Sequence, residues 1–283
     1  MLLGTMARTY RRDSLEEIVD QACADGMKAM QLNLANAGLE SLPAALDEVT
    51  ARRIGDIFRS RGLHLAAVGG TFNAIHPSKE ERAEGVRRVT LIARHAAAFG
   101  TDTMTLCTGT RNPDYMWGFH PDNSQPGAWT DMIDTMKRLV DATEGAGVML
   151  VFEPEVVNVV DTSEKARRLL DEVSSPRLKV LIDPANLINH DNIGDTTSVI
   201  ENAFRLLAGD VFMAHAKDIV PAEPGADHPR RVAPGTGRID WSCYLRLLVE
   251  SGFKGSLIMH DLDESEVVPC RDRLIALAPK GAF

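Results

Sequence analysis

The chain has 283 residues, of which 44% are hydrophobic and 25% charged, and this composition is typical of a globular protein with a substantial core. Its formal net charge of -9 argues against a nucleic-acid partner, because nucleic-acid-binding proteins usually carry a basic surface. The apolar N-terminus is too short for a signal peptide or membrane span, and the four cysteines lack C-x-x-C spacing, so we expect a cytoplasmic protein without a membrane partner.

Short apolar runs alternate with amphipathic segments from the first residue onward. In the first half, the runs predict strands at 2–6, 28–34, 64–68 and 101–107, with helices at 13–24, 44–61 and 79–99. A loop at 108–123 follows, and it is rich in aromatic, Gly and Pro residues. Loops of this length in compact domains tend to form lids or binding walls.

The same alternation continues to the end of the chain. A helix around 132–140 precedes strands at 148–153, 178–183, 211–215 and 256–260, with helices at 163–173, 195–208, 241–251 and 265–277. Ser163 is the expected cap of its helix, and a second long loop covers 219–237. Strict alternation indicates parallel strands with helical crossovers. Eight such units without a linker predict one domain over 1–283 that closes into a (β/α)₈ barrel. An open doubly wound sheet is the alternative, although no Gly-rich dinucleotide fingerprint follows the first strand.

Four apolar runs of the second half each end in a side chain that can bind a metal. These side chains are Glu153, Asp183, His215 and His260. In a closed barrel the carboxyl ends of all strands open on the same face. Because buried carboxylates are unfavourable unless they are paired or coordinated, a shared cation is the simplest explanation of this pattern.

With these strand ends aligned, the chain resembles the xylose-isomerase-like family of sugar isomerases and epimerases, which includes endonuclease-four type abasic-site nucleases. The resemblance is carried by Phe152-Glu-Pro-Glu155 with Asn158, Ile182-Asp-Pro184, Ala214-His-Ala-Lys-Asp218 and Pro234-Gly-Thr-Gly-Arg-Ile-Asp-Trp241. It implies a TIM barrel with one divalent cation at the C-terminal mouth, held by a Glu, an Asp, a His and a final Glu. It also implies a small carbohydrate substrate, in which carboxylates move a proton between adjacent carbons through an enediolate.

One position departs from the family pattern, because the last ligand is His260 where a Glu is usual. An imidazole makes the site less anionic, which favours Mn²⁺, Co²⁺ or Zn²⁺ over Mg²⁺, and we expect Mn²⁺. Histidine can donate a proton as well as accept one, so elimination or dehydration becomes an alternative to isomerisation. On this reading Glu153 serves one face of the substrate, and His260 binds the metal, contacts the substrate or is held by a neighbouring aspartate. Asn186 is a second departure, where many relatives carry a His.

Further candidates surround these four residues. Lys217 lies two residues after His215, so the two side chains face the same side of the strand. We expect Lys217 either to neutralise an enediolate oxygen or to form a salt bridge with Glu155 or Asp218. Trp117 and His120 form a sugar-stacking wall or simply pack their loop, and Arg231 binds an anionic group or lies in solvent. The substrate-binding residues predicted in this way are His76, Asn73, Glu155, Asn158, Trp117, His120, Asp218 and Arg231.

The predicted function is therefore a metal-dependent sugar isomerase or epimerase, with a keto-sugar lyase as the alternative. An abasic-site endonuclease needs a trinuclear zinc site, for which eight histidines at these positions and a charge of -9 are unfavourable. A catalytically inactive barrel stays open because of His260. Relatives commonly pair, so a homo-oligomer is expected, but no interface is identified. The size and phosphorylation of the sugar depend on loop shapes.

Overall fold

The barrel consists of eight parallel strands in a computed structural model that describes residues 1–223 and 228–283. Each barrel strand pairs with its neighbours in the chain, and the last pairs with the first, which closes the sheet. The predicted (β/α)₈ barrel is thus confirmed. The barrel strands are Leu2–Met6 (β1), Ala29–Leu32 (β2), His64–Gly69 (β3), Thr103–Cys107 (β4), Met149–Glu153 (β5), Leu178–Ile182 (β6), Val211–Ala216 (β7) and Ser256–Met259 (β10).

The helices surround the barrel, and several of them begin or end at a signal that the sequence provides. Ser14 and Glu17 form a reciprocal capping box at the first helix, and Gly62 ends the second in the left-handed conformation, with φ 66°. The helices are Leu15–Ala24 (α1), Glu48–Arg61 (α2), Lys79–Arg94 (α3), Ala96–Phe99 (α4), Pro126–Ala142 (α5), Ser163–Val173 (α6), Thr196–Leu207 (α7), Trp241–Glu250 (α8) and Val267–Leu277 (α9). None of the helices within 1–223 and 228–283 has the length and apolar character needed to cross a membrane.

Three local predictions are corrected. The helix expected at 79–99 is interrupted at His95, which ends α3 and precedes α4. Thr162, not Ser163, caps α6, because the Thr162 hydroxyl accepts from the Lys165 backbone N–H. The loop expected at 219–237 contains an antiparallel pair, Asp218–Val220 (β8) and Arg230–Val232 (β9), while residues 224–227 lie outside the described part of the chain.

A small apolar layer fills the inside of the barrel below its C-terminal mouth. Successive residues of a strand face opposite sides, so a residue two positions further along faces the same interior. Val151, Leu181, Met213 and Ile258 belong to this layer, and each stands two residues before one of the four predicted metal-binding side chains. The layer therefore forms the floor on which the polar site stands. Its buried members are Met6, Ala29, Ala66, Ala67, Val151, Leu181, Met213 and Ile258.

Candidate metal and active site

The strand ends of β5, β6, β7 and β10 bring the four predicted metal-binding residues together. One ligand atom from each of Asp183, His215 and His260 lies within 4.8 Å of the other two. Glu153 adjoins this cluster, since its Oε1 lies 3.1 Å from His215 Nδ1. Such a spacing of carboxylate and imidazole groups suits a single divalent cation.

His215 presents its Nδ1 to the two carboxylates because Gln31 holds the other ring nitrogen. Nε2 of His215 lies 2.7 Å from Oε1 of Gln31, whose amide nitrogen in turn donates to Thr105. With Nε2–H donating to Gln31, the Nδ1 lone pair faces Glu153 Oε1 at 3.1 Å and Asp183 Oδ2 at 3.9 Å. A lone pair opposite carboxylate oxygens is repulsive unless a positive charge lies among them. The donor set therefore fits a cation.

Three buried polar atoms in or beside the cluster have no hydrogen-bond partner among the described residues. They are Oδ2 of Asp183, Nδ1 of His260 and Nη1 of Arg231. Lys217 Nζ lies 3.2 Å from Asp183 Oδ2 as an ion pair, but without the angles of a hydrogen bond. Buried polar atoms are nearly always satisfied in folded proteins, so unsatisfied ones indicate a missing ligand. Asp183 is fixed by its other oxygen, which accepts from the backbone N–H of Ala185.

Lys217 places a buried ammonium between the carboxylates of Glu153 and Asp183. Its Nζ lies 3.4 Å from Glu153 Oε1 and 3.2 Å from Asp183 Oδ2, and the residue is only 4% exposed. These partners replace the salt bridge with Glu155 or Asp218 that the sequence left open. With both carboxylates ionised, one ammonium leaves a net negative charge that would attract a cation to the cluster.

Burial and charge shift the protonation of these groups in different directions. Burial alone would raise the pKa of Glu153, but the attraction of the Lys217 ammonium outweighs it and holds that pKa below its ordinary value. Burial raises the pKa of Asp183, and Lys217 only partly opposes this because Glu153 repels a second negative charge. Burial lowers the pKa of Lys217, but its two carboxylate partners more than reverse this. Each carboxylate thus competes for the same ammonium.

His260 lies at the edge of the cluster and contacts Arg8. The two imidazole rings of His215 and His260 have centroids 5.1 Å apart and are tilted relative to one another. Nη2 of Arg8 is in hydrogen-bond contact with Nε2 of His260 and donates to Asp261 Oδ1 at 3.2 Å. Burial, followed by repulsion from Lys217, keeps the pKa of His260 well below its ordinary value. The imidazole is therefore neutral near pH 7.

Of the predicted substrate-binding residues, Glu155 and Arg231 lie beside the cluster. Arg231 donates to Asn186 Oδ1 at 2.7 Å, and Asn186 donates to Glu153 Oε1 at 2.7 Å. Burial raises the pKa of Glu155, against the attraction of Lys217. A cavity of about 610 Å³ lies on the outer side of Arg231, and the clustered strand-end residues do not line it. Among the residues that line it are Arg8, Arg231 and Asp261.

Other predicted residues are engaged in loop structure. Asn158 donates to Glu155 Oε2 at 3.3 Å, and Asn73 donates to the carbonyl of Thr110 at 2.8 Å. His76 Nδ1 accepts from the Ser78 backbone, and His120 Nδ1 accepts from the Asp122 backbone. Trp117 is 45% exposed. The structure thus brings Glu155 and Arg231 to the cluster but gives Asn73, His76 and His120 local hydrogen bonds.

Asp218 is buried and organises the long loop that follows β7. Its carboxylate accepts backbone N–H groups from four residues and the indole N–H of Trp241 at 2.8 Å. A Cβ at Gly237 would lie 2.3 Å from Asp218 Oδ1, so only glycine permits this approach. The loop carries Arg231 towards the cluster, so Asp218 acts on the site through the backbone. The four backbone donors are Ile219, Gly235, Gly237 and Ile239.

We expect Asp218→Asn to destabilise the protein by about 3 kcal/mol or more, because an amide cannot accept five hydrogen bonds and its NH₂ would face buried donors. Asp195→Asn is the matched control, since Asp195 caps α7 with an exposed carboxylate and its loss costs about 1 kcal/mol or less. Urea denaturation measures both free energies of unfolding. Equal losses in the two variants would contradict the role of Asp218.

Two residues of the site escaped the sequence analysis. Arg8 follows β1, and Gln31 lies in β2. The signal for Gln31 was present, since it is a polar residue inside an otherwise apolar strand, two positions after Ala29 of the apolar layer. Arg8 likewise stands two positions after Met6 of the same layer. The criterion applied to the later strands was a polar side chain at the end of an apolar run. Applied to β1 and β2, it would have found both Arg8 and Gln31.

Solved structures with the same fold were compared over the full chain. A 3-keto-D-glucoside 4-epimerase from E. coli, in its apo form, has 17% identity and a TM-score of 0.73, with 98% of each chain covered. An IolI protein with a bound zinc atom has 17% identity and a TM-score of 0.74, again over 98% of each chain. A probable 3-DHS dehydratase of petrobactin synthesis from Bacillus anthracis has 14% identity and a TM-score of 0.70, covering 99% of this chain and 100% of that one. At these identities the likeness shows a shared fold.

Sequence comparison identifies the family. No curated protein sequence matches the chain significantly. The family model described as xylose isomerase-like TIM barrel matches residues 19–272, which includes every strand from β2 to β10 and all four clustered strand-end residues. The closed barrel and the family match agree, and the chain belongs to the xylose isomerase-like TIM barrel family.

Proposed function

We propose that the protein is a divalent-metal-dependent isomerase or epimerase that moves a proton next to the carbonyl of a small sugar or keto-sugar. The observation that carries this proposal is the convergence of Glu153, Asp183 and His215 Nδ1, three acceptors, on one buried point. Membership of a family whose structural relatives include named epimerases supports the carbohydrate substrate.

Glu153, Asp183 and His215 are the proposed ligands, with His260 beside them. A bound divalent cation would polarise the substrate carbonyl and stabilise negative charge on the neighbouring oxygen. The mixed carboxylate and imidazole set suits Mn²⁺, Zn²⁺ or Co²⁺ better than Mg²⁺, and we propose Mn²⁺ as the working ion. The zinc in the IolI protein supports a divalent ion in this fold.

Glu153 is the proposed base. Its Oε1 accepts from Asn186 at 2.7 Å and from Lys217 at 3.4 Å, whereas its Oε2 has no hydrogen bond from the described residues. Oε2 is thus the oxygen available to take a proton from the carbon next to the carbonyl. The low pKa of Glu153 keeps this carboxylate ionised near neutral pH, which is the form that a base requires.

Lys217 and His260 are proposed to serve the substrate oxygens. The ammonium of Lys217 is held within the cluster, where it can neutralise the negative oxygen of an enediolate. His260 is neutral, and its Nδ1 has no partner among the described residues, so it can exchange a proton or hydrogen bond with a substrate oxygen. Arg231 and Glu155 flank these groups and are proposed to bind the remaining hydroxyls.

A keto-sugar lyase or dehydratase is the second candidate. Elimination requires that an acid protonate the departing hydroxyl, and a histidine in place of the family's last glutamate can do this. A solved structure with the same fold is described as a probable 3-DHS dehydratase, and this likeness supports the second candidate. Both candidates share the first step, which is proton abstraction next to a carbonyl.

The test is incorporation of solvent deuterium into a panel of keto-sugars by the protein loaded with Mn²⁺. We expect label next to the carbonyl with at least one sugar, and loss of water from the product only if the lyase alternative holds. Chelation of the metal abolishes the exchange, and His215→Gln reduces it by more than the ~10–100-fold expected for loss of a supporting residue.

His64→Gln is the matched control, because His64 lies at the start of β3, at the opposite end of the barrel. We expect this variant to retain full exchange. Absence of exchange with every sugar, in a protein that binds no divalent ion, would refute both candidates.

A further inference from the structure

Because β1 pairs with β10, Arg8 and His260 lie side by side just past the ends of these two strands. Nη2 of Arg8 contacts Nε2 of His260 and donates to Asp261 Oδ1 at 3.2 Å. Arg8 is therefore positioned by the residue that directly follows His260.

The chemistry of this contact fixes the position of a proton. A guanidinium stays protonated and has only donors, so Nε2 of His260 must be the acceptor. A neutral imidazole has one acceptor nitrogen and one N–H. The proton of His260 therefore lies on Nδ1, which is the buried nitrogen without a partner among the described residues.

His215 has the opposite arrangement. Its Nε2–H donates to Gln31 Oε1, which leaves the Nδ1 lone pair for a cation. Metal-binding histidines normally donate their second N–H to a carboxylate or carbonyl in this way. In His260 the guanidinium occupies the lone pair of Nε2, and Nδ1 carries hydrogen, so neither nitrogen has a lone pair for a cation.

Asp261 holds Arg8 in this position. It adopts the left-handed conformation with φ 55°, which is uncommon for residues other than glycine and is retained where the surroundings enforce it. Its Oδ1 accepts from Arg8 Nη2 at 3.2 Å but lies 3.6 Å from His260 Nε2, and Arg231 approaches its Oδ2 at 3.9 Å. Asp261 is thus paired with arginines instead of accepting from the imidazole.

We infer that Arg8 is a positioning residue that holds neutral His260 in the tautomer protonated on Nδ1, so that His260 donates a hydrogen bond to the substrate and does not ligate the metal. The tautomer follows from the contacts of Arg8 alone, whereas the role towards a substrate rests on the proposed function. The metal site then has three protein ligands and an open position, as catalytic sites usually do.

The tautomer is measured by long-range ¹H–¹⁵N correlation spectra of the imidazole nitrogens in the metal-free protein, with His260→Gln identifying the signals. We expect His260 to show a protonated Nδ1 and an unprotonated Nε2. Arg8→Lys retains a donor-only group and keeps this pattern. Arg8→Met removes the donor, so Nε2–H can bond Asp261 and the pattern reverses. The Arg8 side chain is 55% exposed, so these variants are expected to fold.

The ligand set is measured with Zn²⁺ alone as the probe. We expect His260→Gln to leave Zn²⁺ affinity near that of the native protein, while His215→Gln weakens it by more than ~100-fold. Arg8→Met frees an imidazole lone pair and is expected to tighten Zn²⁺ binding by about 10-fold, a gain that disappears in the double variant with His260→Gln. The double variant distinguishes two causes of tighter Zn²⁺ binding. Ligation by His260 disappears with the imidazole, whereas the effect of removing the positive charge of Arg8 remains.

A protonated Nε2 in the native protein would overturn the inference, as would a His260→Gln variant that loses Zn²⁺ as His215→Gln does. Tightening that persists in the double variant would also contradict it. If the native protein binds no Zn²⁺ or Mn²⁺, the metal in the proposed function is wrong, and the imidazole spectrum still decides the tautomer.

Discussion

Replacement of Asp183 by asparagine is expected to abolish divalent-metal binding and yet stabilise the metal-free protein. The variant loses a ligand charge, so its affinity for Zn²⁺ falls by more than ~100-fold. Without metal, however, Asp183 is a buried carboxylate that competes with Glu153 for the single ammonium of Lys217. Because the pKa of Asp183 is raised in the folded state, its ionised form opposes folding at neutral pH.

The stabilisation is expected to be about 1 kcal/mol, or a rise in Tm of about 2 °C. The asparagine Oδ1 keeps the hydrogen bond from Ala185, and Glu153 remains to balance Lys217. Asp102→Asn is the matched control, since Asp102 is exposed just before β4, and neither metal binding nor Tm changes. The sign follows from the raised pKa: the native protein gains stability relative to Asp183→Asn as pH falls. A variant that retains stoichiometric zinc would remove Asp183 from the site.

Loss of Lys217 is expected to have the largest effect on stability. In Lys217→Met, two carboxylates remain buried without a positive charge, and breaking a buried ion pair in this way costs about 3–5 kcal/mol. A saturating divalent cation supplies the missing charge, so Zn²⁺ should restore much of the lost Tm. The destabilisation also decreases as pH falls, because protonation relieves the repulsion between Glu153 and Asp183.

Lys179→Met is the control for this experiment. Lys179 also pairs with a carboxylate, Asp210, but its side chain is 22% exposed and Arg167 still neutralises that carboxylate. Its loss should cost about 1 kcal/mol or less, without response to metal. Thermal unfolding of both variants, with and without Zn²⁺, distinguishes the cases. Equal and metal-independent losses would show that Lys217 is an ordinary structural lysine.

The barrel was predictable because its pattern is local. Apolar runs with Gly and capping signals predict each strand and helix, and α6 lies within the predicted bounds 163–173. The break at His95 was not predicted, since no Gly or Pro marks it. The pair of β8 and β9 was missed because three-residue strands in a Pro- and Gly-rich segment show no alternation of apolar and polar residues.

The site was predictable to the extent that it follows strand ends. Asp183, His215 and His260 converge because parallel strands all open on one face of the barrel. The partners of Lys217 could not be predicted, because they depend on how far three strands are staggered across the barrel. Asp218 was expected to bind substrate, whereas it accepts five hydrogen bonds, and four of these come from the Pro234–Trp241 motif, whose fold around a carboxylate the sequence alone did not show.

The apolar layer under the site affects which substitutions the protein can accept during evolution. Val151, Leu181, Met213 and Ile258 complete the packing one step below the reactive groups. A substitution at one of the four strand-end positions therefore changes the polar cluster without changing the apolar layer beneath it. The imidazole of His260, where the family resemblance implies a glutamate, is an example of such a change. New activities can thus arise on this scaffold by single exchanges at the rim.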